Sequence, residues 1–242
     1  MKFYYLALRN IKAVYRDPVS MLLGLAMPAL LLILFTSIQK RLPLEIYSAQ
    51  MLTPAIVIFS FSFLMMFAAI LLAKDSNSAF LTRLFTTPLK SSDFILAYIL
   101  PFIPVAFFQI IVCFAVGAFM GASYSNLLLA LLIFLLIALT CISLGILLGI
   151  FLTVNQVPGV GSLLITAIGL FCGAWMDLKM VGGFLETIGY VLPFAHAVDA
   201  LQIILAGKVT TSISENLYWI TGYAFVLVVL AIYSFRWKIR QG

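Results

Sequence analysis

Side chains that could do chemistry are sparse in this 242-residue sequence. It has one histidine, His196, and three cysteines, Cys113, Cys141 and Cys172, each alone within an apolar stretch. No two of them have metal-ligand or CxxC spacing, so the thiols are expected to pack as small hydrophobic groups. Asp199 follows His196 by three residues, which predicts a hydrogen-bonded pair on one short helix. One His and one Asp do not make a proton path across a membrane, so a structural or gating contact is favoured.

The sequence also lacks the means to use ATP by itself. No GxxxxGK[ST] phosphate-binding loop occurs, and no nucleophile–base pair or metal-ligand set suggests an enzyme. The middle portions of the apolar segments carry no ionisable residues, which disfavours a proton-coupled carrier. Energy for any transport is therefore expected to come from a partner.

Composition places the chain in the membrane. Hydrophobic residues make up 64% of the sequence and the mean hydropathy is +1.20, whereas soluble domains are roughly 45–50% apolar. The apolar runs are continuous rather than alternating, which favours helices over a β-barrel. A crossing takes about 20 residues, and six runs are long enough: Met21–Ile38, Met51–Ala73, Phe94–Met120, Leu127–Thr153, Pro158–Met176 and Leu217–Phe235.

The remaining segments complete an all-α membrane domain over residues 1–242. Residues 177–216 are interrupted by glycines and a proline, and their apolar pieces are too short to cross, which predicts short interfacial or re-entrant helices. Pro101 and Pro104 predict a kink in the third span. Three GxxxG pairs are candidates for close helix packing: Gly117 with Gly121, Gly145 with Gly149, and Gly169 with Gly173.

The distribution of basic residues predicts the orientation. With the amino terminus in the cytoplasm, the inner segments hold ten Lys and Arg against three acidic residues, and the outer segments hold four against five. This asymmetry follows the positive-inside rule, and six spans return the carboxyl terminus to the cytoplasm. Anionic headgroups account for the net charge of +6 without a nucleic-acid partner. The expected location is the plasma or inner membrane.

Residues 1–17 form a basic, aromatic segment before the first span. At helical spacing Phe3, Leu6, Ala7, Asn10 and Val14 share one side, which predicts a helix lying along the inner leaflet. The alternatives are a simple basic flank that sets topology and a cleaved signal peptide; the latter is disfavoured by the length of the first apolar run. The charged residues assigned to the interfacial helix are Arg9, Lys12, Arg16 and Asp17.

Residues 74–93 are a polar loop between the second and third spans. Phe80, Leu81, Leu84 and Phe85 are spaced to form one apolar face of a short helix, and Pro88 ends it. So short an exposed face either lies on the membrane or docks into a groove of another protein.

This loop resembles the cytoplasmic coupling region of ABC-2 type transporter permeases. Lys74 and Asp75 occupy its basic–acidic pair; Arg83, Leu84, Thr87, Pro88 and Leu89 occupy the core of the pattern. Ala79 and Phe80 replace the usual Gly-Thr, and Tyr98 stands where a Lys is frequent. The run PFAHAVDALQIILAG, from Pro193, resembles the family's second signature, with Gln202 in place of a frequent Arg.

The resemblance implies an export permease, not an enzyme itself. Two identical or different permease chains would form the pathway, each resting on a P-loop ATPase subunit that binds ATP and Mg²⁺. The residues it assigns to ATPase coupling are Lys74, Asp75, Phe80, Leu81, Arg83, Leu84, Phe85 and Pro88, and those it assigns to the outer segment or gate are Pro193, His196, Asp199 and Gln202.

A pathway between the second and fifth spans would be aromatic, lined by Phe59, Phe63, Phe67, Phe171 and Trp175. Such a lining suits a lipophilic drug, antibiotic, peptide or lipid, and the same residues are also what packing and lipid-facing surfaces use. Two other classes stay open. They are a secondary carrier or channel that does not use ATP, and a membrane-embedded scaffold or enzyme.

Overall fold

The computed structural model describes residues 2–39, 48–76, 90–175, 178–208 and 212–241, and every regular element in these ranges is an α-helix. The predicted all-helical class is confirmed. The helices are α1 (Lys2–Tyr15), α2 (Pro18–Gln39), α3 (Ala49–Ser76), α4 (Ser91–Ile99), α5 (Phe102–Phe119), α6 (Leu127–Phe151), α7 (Val157–Phe171), α8 (Leu178–Val181), α9 (Gly183–Val191), α10 (Pro193–Leu205) and α11 (Ser212–Gln241).

Five stretches are long and apolar enough to cross a bilayer, namely Met21–Ile38, Ala49–Ser76, Ser91–Phe119, Leu127–Phe151 and Ile213–Lys238. The predicted fifth span, Pro158–Met176, is shorter in the structure. Its helix α7 has 15 residues, which at 1.5 Å each gives roughly 22 Å, less than the hydrocarbon core of about 30 Å. Helices α9 and α10 meet at 86° and together are long enough for one broken span or a re-entrant loop. The described chain therefore has five spans, or six with this bent pair.

The third span is interrupted where proline predicts it. Helix α4 ends at Ile99, Leu100 and Pro101 form a turn, and α5 begins at Phe102. Proline has no backbone N–H to donate, so the helical hydrogen-bond ladder cannot continue unbroken through Pro101. The kink is confirmed, and it separates a short α4 from the long α5.

Helix α3 is the centre of the bundle, and its closest neighbour is α6. A Cβ atom on Gly145 would lie 2.1 Å from the Met65 carbonyl oxygen, and one on Gly149 would lie 2.6 Å from the Ala69 oxygen. Only glycine permits so close an approach of two helix backbones. This GxxxG pair therefore packs two helices of the same chain.

The other two GxxxG pairs do not lie on continuous helices. Gly121 follows the end of α5 with φ +94°, and Gly173 follows the end of α7 with φ +73°. Both values fall in the left-handed region that glycine adopts without a Cβ penalty. The second glycine of each pair therefore ends a helix rather than packing one.

Candidate functional site

The carboxyl-terminal end of α3 holds a buried carboxylate shared by three helices. Asp75 is 5% exposed. Arg9 of α1 donates from Nη2 to Asp75 Oδ1 at 2.6 Å, and its Nη1 also donates to Asp75 Oδ2. The hydroxyl of Tyr98, which is fully buried on α4, donates to the same Oδ2. Bidentate, charge-assisted bonding of this kind fixes both orientation and distance.

Asn10 extends this group and is fully buried on α1. Its Nδ2 donates to the Ala97 carbonyl of α4 at 3.1 Å, and its Oδ1 accepts from Arg9 Nη1 at 3.1 Å. Together, Arg9, Asn10, Asp75 and Tyr98 form what we call the Asp75 cluster. It joins α1 to α4 as well as α1 to α3, so the three helices are held at one place.

The electrostatics of the Asp75 cluster are those of a partly shielded ion pair. The side chain of Arg9 is 41% exposed and that of Asp75 is 7% exposed. The side-chain hydrogen bond to Asp75 raises the pKa of Arg9, against the opposing effect of partial burial. The guanidinium therefore stays charged, because arginine does not lose its proton in proteins.

Two more polar contacts close the same end of the bundle. Ser76 Oγ lies 3.5 Å from the Gly149 carbonyl oxygen, and Lys238 of α11 donates to the Ile150 carbonyl oxygen. Both acceptors are in the last turn of α6, whose carbonyls have no partners further along the helix. α3 and α11 thus satisfy the end of α6.

The residues predicted for coupling are divided by the structure. Lys74 is exposed, whereas the Asp75 carboxylate is turned inward to Arg9 and Tyr98. Phe80, Leu81, Arg83, Leu84, Phe85 and Pro88 lie outside the described residues. Asp75 is placed to position the helices around the loop rather than to touch a partner.

Of the charged residues predicted for the interfacial helix, only Arg9 bonds into the Asp75 cluster. Lys12 and Arg16 are exposed. Asp17 is exposed as well and lies beyond the end of α1 at Tyr15, so the helix is shorter than the predicted segment 1–17. The Asp17 carbonyl instead accepts from the Met21 N–H at the start of α2.

The opposite end of the bundle holds a group of rings around His196. The imidazole stacks on Trp219 with centroids 5.2 Å apart and an interplanar angle of 6°, and it meets Tyr190 edge-on at 5.4 Å. Its Nε2 lies 2.9 Å from the Tyr190 carbonyl oxygen and its Nδ1 lies 2.7 Å from Asn216 Oδ1. A carbonyl only accepts, so Nε2 carries a proton. These residues, with Asp199, form the His196 cluster, which joins α9, α10 and α11.

The predicted bond between His196 and Asp199 is wrong, because both nitrogens of His196 are engaged elsewhere. Asp199 Oδ2 instead accepts from the Tyr190 hydroxyl at 2.7 Å. A folded-back α9 brings Tyr190 to both residues, and only the 86° bend between α9 and α10 makes this possible.

The two other outer-segment residues have separate roles. Pro193 is the first residue of α10, a position where the missing N–H costs nothing. Gln202 Nε2 donates to the Met51 carbonyl oxygen at 3.0 Å and so ties α10 to the amino-terminal end of α3. That end is about 40 Å from Asp75 along α3, whose 28 residues rise 1.5 Å each.

The predicted pathway residues only partly come together. Phe59 lies 5.5 Å from Phe63 and 5.7 Å from Trp175, measured between ring centroids. Phe59 is 4% exposed and Trp175 is 45% exposed. Phe67 lies apart, against Gly24 of α2, and Phe171 lies near Gly189 of α9.

Sequence reasoning missed several residues of both clusters. Tyr98 was noticed only as a departure from a family pattern, and Asn10 only as a member of the apolar side of α1. A lone polar residue on an apolar helix side is itself a signal of a buried hydrogen bond. Tyr190, Asn216 and Trp219 carry no such signal, because a helix bend brings them to His196.

Long apolar helices, with their polar side chains gathered at the two ends of the bundle, define a multi-pass membrane protein. The sequence model of the ABC-2 type transporter family matches residues 1–206, and the chain belongs to this family. It is therefore a transmembrane permease, not itself a catalyst, of a family that associates with an ATP-binding subunit. No curated protein matches the sequence.

Proposed function

We propose that the chain is the membrane subunit of an ATP-driven exporter that couples to a separate P-loop ATPase through residues 77–89. ATP and Mg²⁺ bind that partner. Lys74 and the apolar residues Phe80, Leu81, Leu84 and Phe85 contact the ATPase, with Arg83 and Pro88 shaping the same segment. In this orientation both termini and the Asp75 end of the bundle face the cytoplasm.

The Asp75 cluster is the observation that carries this proposal. Asp75 lies in the last turn of α3, which ends at Ser76, and it is bonded to Tyr98 of α4, the next described helix. The two helices that flank residues 77–89 are thus bound to each other, and Arg9 adds α1 to the unit. A displacement of the segment by the ATPase would move these helices together, as rigid elements must move to switch a transporter.

The pathway is proposed to form between two such chains, identical or different. Only 22% of the apolar window of α2 and 17% of that of α11 is buried within one chain, which leaves broad faces for a second chain or for lipid. Phe59, Phe63 and Trp175 give the α3–α7 side an aromatic surface, which suits a lipophilic drug, antibiotic, peptide or lipid. The α9–α10 segment, with Pro193, His196, Asp199 and Gln202, is proposed as the outer gate.

Copurification tests the coupling. The chain is isolated from its own cells in mild detergent, and P-loop ATPases in the sample are identified by mass spectrometry. The parent chain is expected to bring an ATPase with it, whereas Leu84→Glu and Phe85→Glu are expected to lose it while still inserting into the membrane. A charge on an apolar docking face leaves a carboxylate without water or a partner in the contact.

Phe184→Glu is the matched control, because Phe184 is a 78% exposed phenylalanine on α9, at the other end of the bundle. It should keep the ATPase. Full recovery of the ATPase with Leu84→Glu would refute the coupling segment. Absence of any ATPase from the parent sample would favour a carrier or channel that does not use ATP.

A further inference from the structure

A cleft lies beside the Asp75 cluster, between α1, the start of α2 and the end of α3. Its volume is about 280 Å³, near the lower limit for ligand pockets. One end is lined by charged side chains and the other by apolar ones. The charged lining comprises Arg9, Asp17, Lys74 and Asp75, and the apolar lining includes Phe67 and Leu71.

The cleft is at the level of a membrane surface. The apolar window of α2 begins at Met21, and α3 ends at Ser76, so the cleft's charged residues fall where two spans meet water. Exposed Tyr4, Tyr5 and Tyr15 lie on the neighbouring α1, and tyrosine is enriched at headgroup depth. An occupant at this depth has a polar end among headgroups and an apolar end among acyl chains.

The charges specify the polar end further. Arg9 and Asp75 neutralise each other through two hydrogen bonds. That leaves one cation, Lys74, on α3 and one carboxylate, Asp17, at the α1–α2 junction to face an occupant. The ammonium of Lys74 donates to a phosphate oxygen, while a carboxylate has room for several hydrogen bonds and accepts from an ammonium.

We propose that this cleft binds the headgroup of an aminophospholipid of the phosphatidylethanolamine class. Its phosphate meets Lys74, its primary ammonium meets Asp17, and its acyl chains leave along Phe67 and Leu71 into the bilayer. The small volume fits a headgroup and glycerol rather than a whole lipid. This site does not rest on the proposed transport function, because it needs neither the ATPase nor a substrate.

Native mass spectrometry of the delipidated full-length chain tests the site. Dioleoyl phosphatidylethanolamine, phosphatidylcholine and phosphatidylglycerol are titrated separately. Phosphatidylethanolamine should bind about tenfold more tightly than either of the others, the equivalent of one charge-assisted hydrogen bond. The choline headgroup has no N–H to donate, and the glycerol headgroup has no cation.

Variants assign the preference to the cleft. Asp17→Asn should abolish the preference for phosphatidylethanolamine over phosphatidylcholine, and Lys74→Gln should weaken all three. Ala13→Phe, which changes no charge, should fill the cleft and block binding, since Ala13 lines it. Lys12→Gln, on the exposed side of α1, should leave binding unchanged. Each variant is first checked for a monodisperse gel-filtration peak.

Two results would overturn the proposal. Equal binding of the three lipids by the parent chain would mean general annular lipid only. A preference for phosphatidylethanolamine that persists in both Asp17→Asn and Ala13→Phe would place the lipid elsewhere on the protein.

Discussion

The Asp75 cluster and the His196 cluster both hold three helices together, but they do so with different chemistry. The first depends on a buried carboxylate with a charged partner 66 residues away in sequence. The second depends on a stacked ring whose hydrogen-bond partners are 6 and 20 residues away. A buried charge requires its partner, whereas neutral groups lose only individual hydrogen bonds.

The difference suggests a division of labour between the two ends. An ion pair enclosed by Asn10 and Tyr98 makes a stiff junction at the end of α3 that precedes the proposed coupling segment. The His196 cluster uses stacking and backbone carbonyls near a helix bend, which can rearrange at a lower cost. The stiff end suits the transmission of force, and the adaptable end suits a gate.

The largest effect is expected from Arg9→Met. This variant leaves the Asp75 carboxylate buried without a cation, which costs about 3–5 kcal/mol, with the lower value expected because Arg9 is 41% exposed. The measurement is the thermal unfolding midpoint of the chain in detergent. The double variant Arg9→Met with Asp75→Leu should recover most of the loss, since no buried charge remains. Lys12→Met, at an exposed position of the same helix, is the control.

Tyr98→Phe should cost less, about 2 kcal/mol, because it removes one hydrogen bond to a charged group and keeps the ring and its packing. In the Arg9→Met background its further cost should change, since both residues bond to the same carboxylate oxygen. Tyr233→Phe, at a 69% exposed tyrosine of α11, serves as the matched control in the same assay. Strictly additive losses for Arg9 and Tyr98 would contradict a single cluster.

The smallest effect is expected from His196→Phe, about 1 kcal/mol. Phenylalanine keeps the stacking on Trp219 but loses the hydrogen bonds to Tyr190 and Asn216, which are neutral and only partly buried. His196→Gln, which retains a hydrogen-bonding side chain and loses the ring, separates the two contributions. If His196→Phe destabilised the chain more than Arg9→Met does, the proposed contrast between the two ends would be reversed.

The fold class could be predicted from the sequence because hydrophobic length is a local property. The first apolar run, Met21–Ile38, matches its predicted bounds, and Pro101 marks the break in the third span. The fifth span could not be placed, because Gly173 and the residues after it end α7 early. The hydropathy of Pro158–Met176 alone does not reveal where its helix stops.

The candidate sites were predictable to a smaller extent. The family pattern correctly singled out Asp75 and His196 as unusual polar residues in an apolar chain. It did not reveal that Asp75 is buried or that His196 bonds to Tyr190 rather than to Asp199. Those partners depend on how helices meet, and spacing along one helix cannot supply them.

The sequence by itself therefore determined the solvent of this protein, the approximate number of its spans and the family to which it belongs. These follow from the cost of exposing peptide groups to lipid and from the length of apolar chain that avoids it. Only the tertiary structure decided that Arg9, Asp75 and Tyr98 share one carboxylate, and that Gly145 and Gly149 bring α6 against α3. The physical reason is that buried polar groups must find partners, and the partners available are set by which helices pack together.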